Sequence, residues 1–375
     1  MIKVGIVGSR AKSTMAGFSA LDNVEVTAVC DLNEECMNRI ADEYNIPHRF
    51  RVYEDMLESD IDAVVIATPM QCHVPQAVAA LEAGKHVLSE VTAGVTMDEL
   101  WWLIEAKEKY GKTYMMAENY IYTPEVQLVK GLRAAGKFGT PFYAEGEYLH
   151  DVRDMTVYDN GKRSWRTYWQ LGKRGSFYPT HSLGPVMEWF AGDRVTEISC
   201  FGTGGGYVSP ELKQDELTVT MCRMESGALA KITVACKAPR PHNMHSYLLQ
   251  GTKGCCEGRG VSGGYQVWLE DEPVDDSGKC KWRPLHDFDR YLPERYQNPT
   301  EAAKKAGHNG GDYYLVKDFV DAIVTGQEPD VNVYRACEWT AVGLLSELSV
   351  TNRGRVMDMP NFRKNAKNEE KFVKL

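Results

Sequence analysis

The sequence contains no pair of cysteines at redox or metal-binding spacing. Ten cysteines are present, none forms CxxC, and the adjacent Cys255 and Cys256 cannot easily share one tetrahedral site. Neither a disulfide framework nor a metal centre is expected. No apolar run reaches the length of a bilayer span, so no membrane segment is expected. Basic clusters are also missing: the richest run, Arg363 to Lys374, alternates with Asn and Glu like a solvated tail. With a net charge of -9, this argues against nucleic acid as a main partner, because neutralising phosphates needs grouped cations. The opening residues, Met1-Ile2-Lys3-Val4-Gly5-Ile6-Val7-Gly8, lead straight into a strand without the charged and apolar regions of an export signal. Together with the cysteine pattern, that leads to the expectation of a reduced, cytoplasmic compartment. Internal repeats and low-complexity stretches are absent as well.

What is present fits two domains: 375 residues exceed one ordinary core, and the balance of 43% hydrophobic to 25% charged residues is that of a globular chain. Up to about residue 120, short apolar runs alternate with amphipathic stretches. Lys3 to Val7, Val24 to Cys30, Asp62 to Ala67, Gly84 to Ser89 and Thr113 to Ala117 are expected strands. Glu34 to Tyr44, Cys72 to Ala83 and Met97 to Tyr110 have helical periodicity. Continuous apolar strands joined by helices predict a parallel sheet covered on both faces. Further on, residues 123–136 and 181–191 are expected helices, but Phe142 to Leu149, Val195 to Phe201, Glu216 to Met224 and Ala228 to Cys236 alternate in steps of two. The last two flank Glu225-Ser226-Gly227, a hairpin signal. Residues 251–306 look loop-heavy, and helices are expected over 311–326 and 333–350. The expected fold is therefore an α/β Rossmann domain over residues 1–122. An α+β domain with a large, mostly antiparallel open sheet follows over 123–375, and its C-terminal helix and tail could return to the first domain.

The first domain carries a dinucleotide arrangement: a strand, a glycine turn at Gly5 and Gly8, a helix, and Asp31 closing the second strand. Backbone N–H groups at such a turn meet a pyrophosphate, and a carboxylate accepts from ribose hydroxyls. Asp31 would repel a 2′-phosphate, and neither Leu32 nor Asn33 supplies a cation to hold one, so NAD is expected over NADP. The turn departs from the usual pattern, because Ser9, Arg10, Ala11, Lys12 and Ser13 leave no second or third glycine. Either the loop has another shape, with Ser9, Arg10 or Lys12 near the phosphates, or the domain has lost its nucleotide. Polar groups recur at successive strand ends: Thr68, Pro69 and His73 after the third strand, Glu90 after the fourth, and Asn119 after the fifth. That edge is where ligands bind in open parallel sheets.

KVGIVG, AVCD, ATPMQCH, GKHVLSE and MMAEN occur in this order, and over essentially its full length the chain resembles the Gfo/Idh/MocA oxidoreductase superfamily. The resemblance implies a Rossmann domain and a second domain whose open sheet often forms a subunit interface, hence a homo-oligomer. It also implies cofactor contacts at Thr68, Pro69, His73, Glu90 and Asn119. Most members carry Glu-Lys-Pro at the fourth strand end, where Lys assists proton transfer; Glu90-Val91-Thr92 stands here, without an ammonium. SEVTAGVTMDELWWLIE, MMAENYIY, FGTPFYAEGEYLHD, SWR, YPTHSLGPV, GHNGGD and VNVYRACEW resemble segments of glycoside hydrolase family 109, NAD-dependent enzymes described as α-N-acetylgalactosaminidases. The Tyr and His of YPTH line the sugar site in that family, which implies catalytic roles for Tyr178 and His181.

An imidazole exchanges protons readily near neutrality, and Pro179 suggests a helix entry that would turn both Tyr178 and His181 into one cleft. Further substrate-binding candidates are His150, Trp165, Arg166 and His308. His150 and Asp151 read either as a base with its carboxylate or as a strand-end turn pair. Trp165 and Arg166 offer a plate and a forked donor for a sugar ring, or a surface Arg lying over Trp. His308 sits in a Gly-rich helix entry with Asp312 near the cap, and capping alone accounts for most of that motif. Three functions follow. The first is a redox-neutral glycosidase that oxidises a ring carbinol (C3), eliminates, adds water and reduces again. The second is a conventional NAD-dependent dehydrogenase of a sugar or cyclitol. The third, a non-catalytic nucleotide-binding sensor, rests on the altered glycine turn alone.

Overall fold

The computed structural model describes residues 1–258, 264–272, 279–364 and 366, and the chain forms two compact units. The first comprises Met1–Tyr122, Pro299–Cys337 and Phe362–Lys364; Thr123–Asn298 and Glu338–Asn361 belong to the second. Residues 259–263 and 273–278 of the expected loop-heavy stretch, and most of the basic run after Arg363, lie outside the described residues.

In chain order the first segment gives β1 (Ile2–Val7), α1 (Lys12–Phe18), β2 (Val24–Cys30), α2 (Glu34–Tyr44), β3 (His48–Phe50), α3 (Tyr53–Leu57) and β4 (Ala63–Ile66). It continues with α4 (His73–Glu82), β5 (His86–Ser89), α5 (Met97–Tyr110) and β6 (Tyr114–Met116). All neighbouring strands are parallel, in the order β3-β2-β1-β4-β5-β6. Each strand of the centre is buried on both faces; the four residues of β4, Ala-Val-Val-Ile, are all inaccessible, as expected for an apolar run covered by helices. Helix α5 is set by its ends: Thr96 and Glu99 form a capping box, and Gly111 closes it in a left-handed conformation. The strand β3 was not expected. Its three residues, His-Arg-Phe, are too short and too polar to show a period, and it pairs at the sheet edge with β2 alone.

The second segment gives α6 (Pro124–Ala134), β7 (Pro141–Leu149), α7 (Arg166–Trp169), α8 (Thr180–Trp189), β8 (Val195–Gly202), β9 (Thr218–Met224) and β10 (Leu229–Ala235). It continues with β11 (Asn243–Gly251), β12 (Gly254–Gly258), β13 (Tyr265–Leu269), β14 (Arg283–Pro284) and α9 (Glu294–Gln297). The remaining elements are α10 (Glu301–Lys305), α11 (Gly311–Thr325), α12 (Val333–Thr351) and β15 (Met357–Asp358). The sheet has nine strands in the order β14-β13-β12-β11-β7-β10-β9-β8-β15 and is mostly antiparallel, with β7 and β10 its parallel pair. The expected hairpin joins β9 to β10, with Gly227 at φ +90°. Residues 251–306, expected to be loop-heavy, hold the short elements β12, β13, β14, α9 and α10 among the described residues. The segment Gly-Cys-Cys-Glu-Gly has little β propensity, but strands pair with it on both sides. Its glycines make room: a Cβ on Gly258 would lie 2.2 Å from the Tyr265 ring.

Helix α8 and strand β7 approach unusually closely. A Cβ on Gly146 would stand 2.0 Å from the Ser182 carbonyl oxygen, so only glycine lets α8 lie on the strand there. Ala144, Gly146 and Tyr148 face the helix, and Glu145 and Glu147 face the other way, lining a groove with Thr233, Ser246 and Glu257 on the opposite side of the sheet. Among the described residues no helix is long and apolar enough to cross a membrane. Gly146→Ala is expected to destabilise the second unit by roughly 1–3 kcal/mol through overpacking, read as a lower denaturant midpoint; an unchanged midpoint would show that α8 does not press on β7.

Candidate active site

The dinucleotide edge belongs to the first unit. Gly8 ends β1 with φ +89°, and its N–H donates to the Cys30 carbonyl at 2.9 Å. A Cβ there would sit 2.5 Å from the Ala67 carbonyl oxygen, so the turn needs glycine for both its conformation and its packing against the end of β4. The missing glycines are answered by shape. Ser9, Arg10 and Ala11 form a tight 3-10 turn in which Arg10 is exposed and Ala11 buried, so the side chain at position 10 points away from the turn's interior. The Ser9 and Lys12 side chains lie outside the described residues. Asp31 follows β2 at the same edge, its carboxylate accepting from the Asn33 backbone at 2.8 Å. A left-handed glycine cradle beside a carboxylate at the next strand end fits the pyrophosphate and ribose of NAD.

Thr68 and Pro69 follow β4, and the Thr68 hydroxyl donates to Gln76 at 2.6 Å. His73, expected at a cofactor-contacting position, has a buried ring, with Nδ1 2.8 Å from the Thr92 carbonyl and Nε2 2.9 Å from the Thr68 carbonyl. Burial lowers its affinity for a proton. The ring ties two strand-end segments together, so it shapes the edge rather than presenting a nitrogen to it. Glu90 follows β5, its N–H donating to the Ile66 carbonyl at 2.8 Å and its carboxylate 3.5 Å from the Ser13 hydroxyl.

Asn119, after β6, is joined by a group from far along the chain. The Asn119 amide lies 3.1 Å from His308 Nδ1 and donates to Asp312 at 3.1 Å, while the same His308 nitrogen is 3.0 Å from the Asp312 carboxylate. Accepting from the ring, Asp312 raises the imidazole's proton affinity above the usual histidine range, with the Glu90 and Glu118 charges adding to the effect. The expectation that capping explains this motif does not hold. The α11 N-cap is Gly310, which has no capping side chain, and His308, Asn309 and Gly310 have φ values of 51°, 56° and 90°. Gly307 leaves room for the Asp312 carboxylate, which would lie 2.4 Å from a Cβ at that position.

In the second unit Tyr178 precedes α8 and His181 lies in its first turn, their rings 5.3 Å apart at 74°. The entry at Pro179 is as expected. Pro185, four residues after His181, has no N–H to give, so the His181 carbonyl takes its hydrogen bond from the Tyr247 hydroxyl on β11 at 2.6 Å. The segment before α8 is held from behind: the Ser176 N–H donates to Ser346 at 2.8 Å, and a Cβ on Gly343 would touch Pro179 at 2.9 Å. Tyr148 stands at the centre, its ring 5.2 Å from His181 and 5.7 Å from Tyr178, with its hydroxyl 2.8 Å from His150 Nδ1. The His242 ring lies 3.9 Å from that of His150, tilted by 43°.

Tyr148, His242 and Tyr247 were missed in the sequence. The available signal for Tyr148 was its position two residues before His150, which is one alternation along the same strand. Of the two readings of His150 and Asp151, the contacts favour the strand-end turn: Asp151 accepts from Arg153 at 2.8 and 2.6 Å, and that guanidinium holds its carboxyl below the usual carboxylate range. Arg166 lies 4.4 Å over the Trp165 ring but is buried and donates to Gln170, so its fork is already engaged on one side.

These features define an NAD-dependent enzyme of the oxidoreductase type, and residues 2–118 match the NAD-binding Rossmann domain of the Gfo/Idh/MocA family. Residues 122–369 match the C-terminal domain of glycosyl hydrolase 109. The chain belongs to glycosyl hydrolase family 109. It is 30% identical over 404 residues to a family 109 protein of Shewanella pealeana, covering 97% of this chain and 86% of that protein. It is also 30% identical over 407 residues to one of Shewanella putrefaciens, covering 98% and 86%. The fold is similar to that of levoglucosan dehydrogenase in complex with NADH, at TM-score 0.79 and 20% identity over 96% of this chain and 99% of that one. Asp31→Ala is expected to weaken NAD binding about tenfold or more, by loss of charge-assisted ribose contacts, with thermal stability nearly unchanged. Equal affinity in titration calorimetry would remove Asp31 from the cofactor site.

Proposed function

We propose that this enzyme oxidises a ring carbinol of a sugar or cyclitol, with Tyr178 and His181 exchanging the substrate's protons. The observation that carries the reading is the ring cluster of Tyr148, His150, Tyr178 and His181, gathered at one helix entry in a chain whose other unit is a dinucleotide fold. NAD, held by the Gly8 turn and Asp31 with Thr68, Pro69, Glu90 and Asn119 along the same edge, supplies a reversible hydride acceptor.

The chain's own part is to bind, orient and move protons. His181 is fixed through its backbone carbonyl by the Tyr247 hydroxyl. The His181 imidazole accepts the carbinol proton as oxidation proceeds, and Tyr178 beside it donates to or accepts from the same oxygen. The Tyr148 hydroxyl and His150 Nδ1, 2.8 Å apart, share a hydrogen bond, and this pair can orient a sugar hydroxyl. Trp165, stacked under Arg166, offers an apolar plate for a pyranose face. The likeness in fold to levoglucosan dehydrogenase supports an alcohol-oxidising reading.

A second reading is favoured by the family 109 match over residues 122–369: redox-neutral glycoside hydrolysis. After oxidation at C3 the neighbouring C2 proton is acidic, and Tyr178 or His181 would remove it as the group at C1 departs. Water then adds, and the carbinol is restored. This route needs no pair of carboxylates spanning the glycosidic bond.

Product analysis with free sugars, cyclitols and aryl glycosides separates the two. A dehydrogenase accumulates one NADH per product, whereas the redox-neutral route releases aglycone with no net NADH. Tyr178→Phe and His181→Ala are each expected to lower turnover by about 10²–10⁴-fold, the usual worth of positioned acid–base groups, with NAD affinity unchanged. Near-normal turnover in both variants would refute this assignment.

A further inference from the structure

Strand order gives the cofactor edge a direction. Asp31 follows β2, Gly8 follows β1, and β4, β5 and β6 come next in line. A dinucleotide with its adenosine ribose at Asp31 and its pyrophosphate at the Gly8 turn therefore extends its nicotinamide half toward the ends of β4 to β6. Two imidazoles stand at those ends. His73 has both nitrogens against carbonyl oxygens. His308 has only Nδ1 engaged, by Asp312 and Asn119, while 38% of its side chain is exposed, so Nε2 is the nitrogen available to a ligand.

Two further observations indicate that this edge is built for a ligand. His308 and Asn309 are held in the left-handed region in succession, which costs non-glycine residues free energy and serves no cap. The Asn119 side-chain oxygen is buried without a hydrogen-bond partner among the described residues.

We propose that His308, oriented by Asp312, makes this edge discriminate between the oxidised and reduced forms of the dinucleotide. The nicotinamide ring of NAD⁺ carries a positive charge that NADH lacks. An imidazolium at residue 308 opposes the first and is nearly indifferent to the second, whereas a neutral imidazole opposes neither. The groups facing His308 are the Asp312 carboxylate from α11, Glu90 after β5, Glu118 and Asn119 after β6, and the Tyr120 ring at 5.8 Å. On α10, which packs against this turn, Lys304 pairs with Glu301 at 2.7 Å and Lys305 is exposed. The carboxylates draw cations to the edge, and protonating His308 cancels part of that attraction. Because Asp312 raises the proton affinity of His308, the change falls above the range of an ordinary histidine. By linkage, NAD⁺ affinity is lost as pH falls through the His308 titration, and reduction of the bound cofactor favours proton uptake at this ring.

The inference rests on the cofactor reading, and binding measurements on the full chain separate the two. Dissociation constants for NAD⁺ and NADH are measured by fluorescence between about pH 5.5 and 8.5, across the histidine range. The NAD⁺ constant is expected to rise on the order of tenfold toward low pH, a typical size for coupled charges, with the NADH constant changing less than about twofold. In His308→Gln the NAD⁺ constant is expected to be flat, and in His308→Lys weak throughout. In Asp312→Asn the break is expected to move to lower pH. NADH binding serves as the control that each variant is folded. Parallel pH profiles for the two dinucleotides, or an undiminished NAD⁺ slope in His308→Gln, would overturn the proposal while leaving the cofactor reading intact. Failure of the native protein to bind either dinucleotide would overturn both.

Discussion

The second unit depends on one close approach, that of α8 to β7 at Gly146. With the Ser182 carbonyl pressed against a glycine, the first turn of α8 sits low enough for Tyr148, Tyr178 and His181 to share one patch. Any side chain at residue 146 would raise the helix by the thickness of a methyl group and spread those rings. The same turn uses a proline constructively. Because Pro185 cannot satisfy the His181 carbonyl, a hydroxyl from β11 does so, and the helix is tied to a second strand at the residue that carries the imidazole. Packing and polar satisfaction therefore fix the ring cluster from below and from the side.

The first unit solves a comparable problem at a turn that lacks two of its usual glycines. One left-handed glycine remains where the chain must touch the end of β4, and the residues after it wind into a 3-10 turn that leaves Arg10 outside. The remaining polar groups are spread along the edge strand by strand, and α11 delivers the last of them. A buried histidine and an acid–imidazole pair at this edge show how environment separates two chemically identical side chains. Burial between carbonyl oxygens lowers the proton affinity of His73, whereas a carboxylate raises that of the partly open His308.

Much of this was legible in the sequence, and the divisions are physical. Val24–Cys30, Glu34–Tyr44 and Met97–Tyr110 fall where apolar periodicity puts them, because local pattern and burial agree there. The β12 segment was hidden because its stability comes from partners on both sides rather than from its own residues. At the ring cluster, Tyr178 and His181 were legible as neighbours within one motif. Tyr148, His242 and Tyr247 were not, since their contacts join positions tens of residues apart. Adjacency left two readings open for His150 and Asp151, and the strand-end turn is the one the contacts favour, because Arg153 captures the carboxylate.

Gly17 on α1 lies against Val316 on α11, so the dinucleotide unit is completed by a helix encoded some three hundred residues later. During synthesis, the strands that carry the cofactor turn leave the ribosome long before the helix that covers α1. The nascent first segment must therefore wait, partly uncovered, while β7 to β14, all but the last strand of the second sheet, are made. A chain arranged in this way couples the completion of its oldest-synthesised part to the arrival of nearly its last, and a message truncated anywhere before α11 yields an unfinished nucleotide fold.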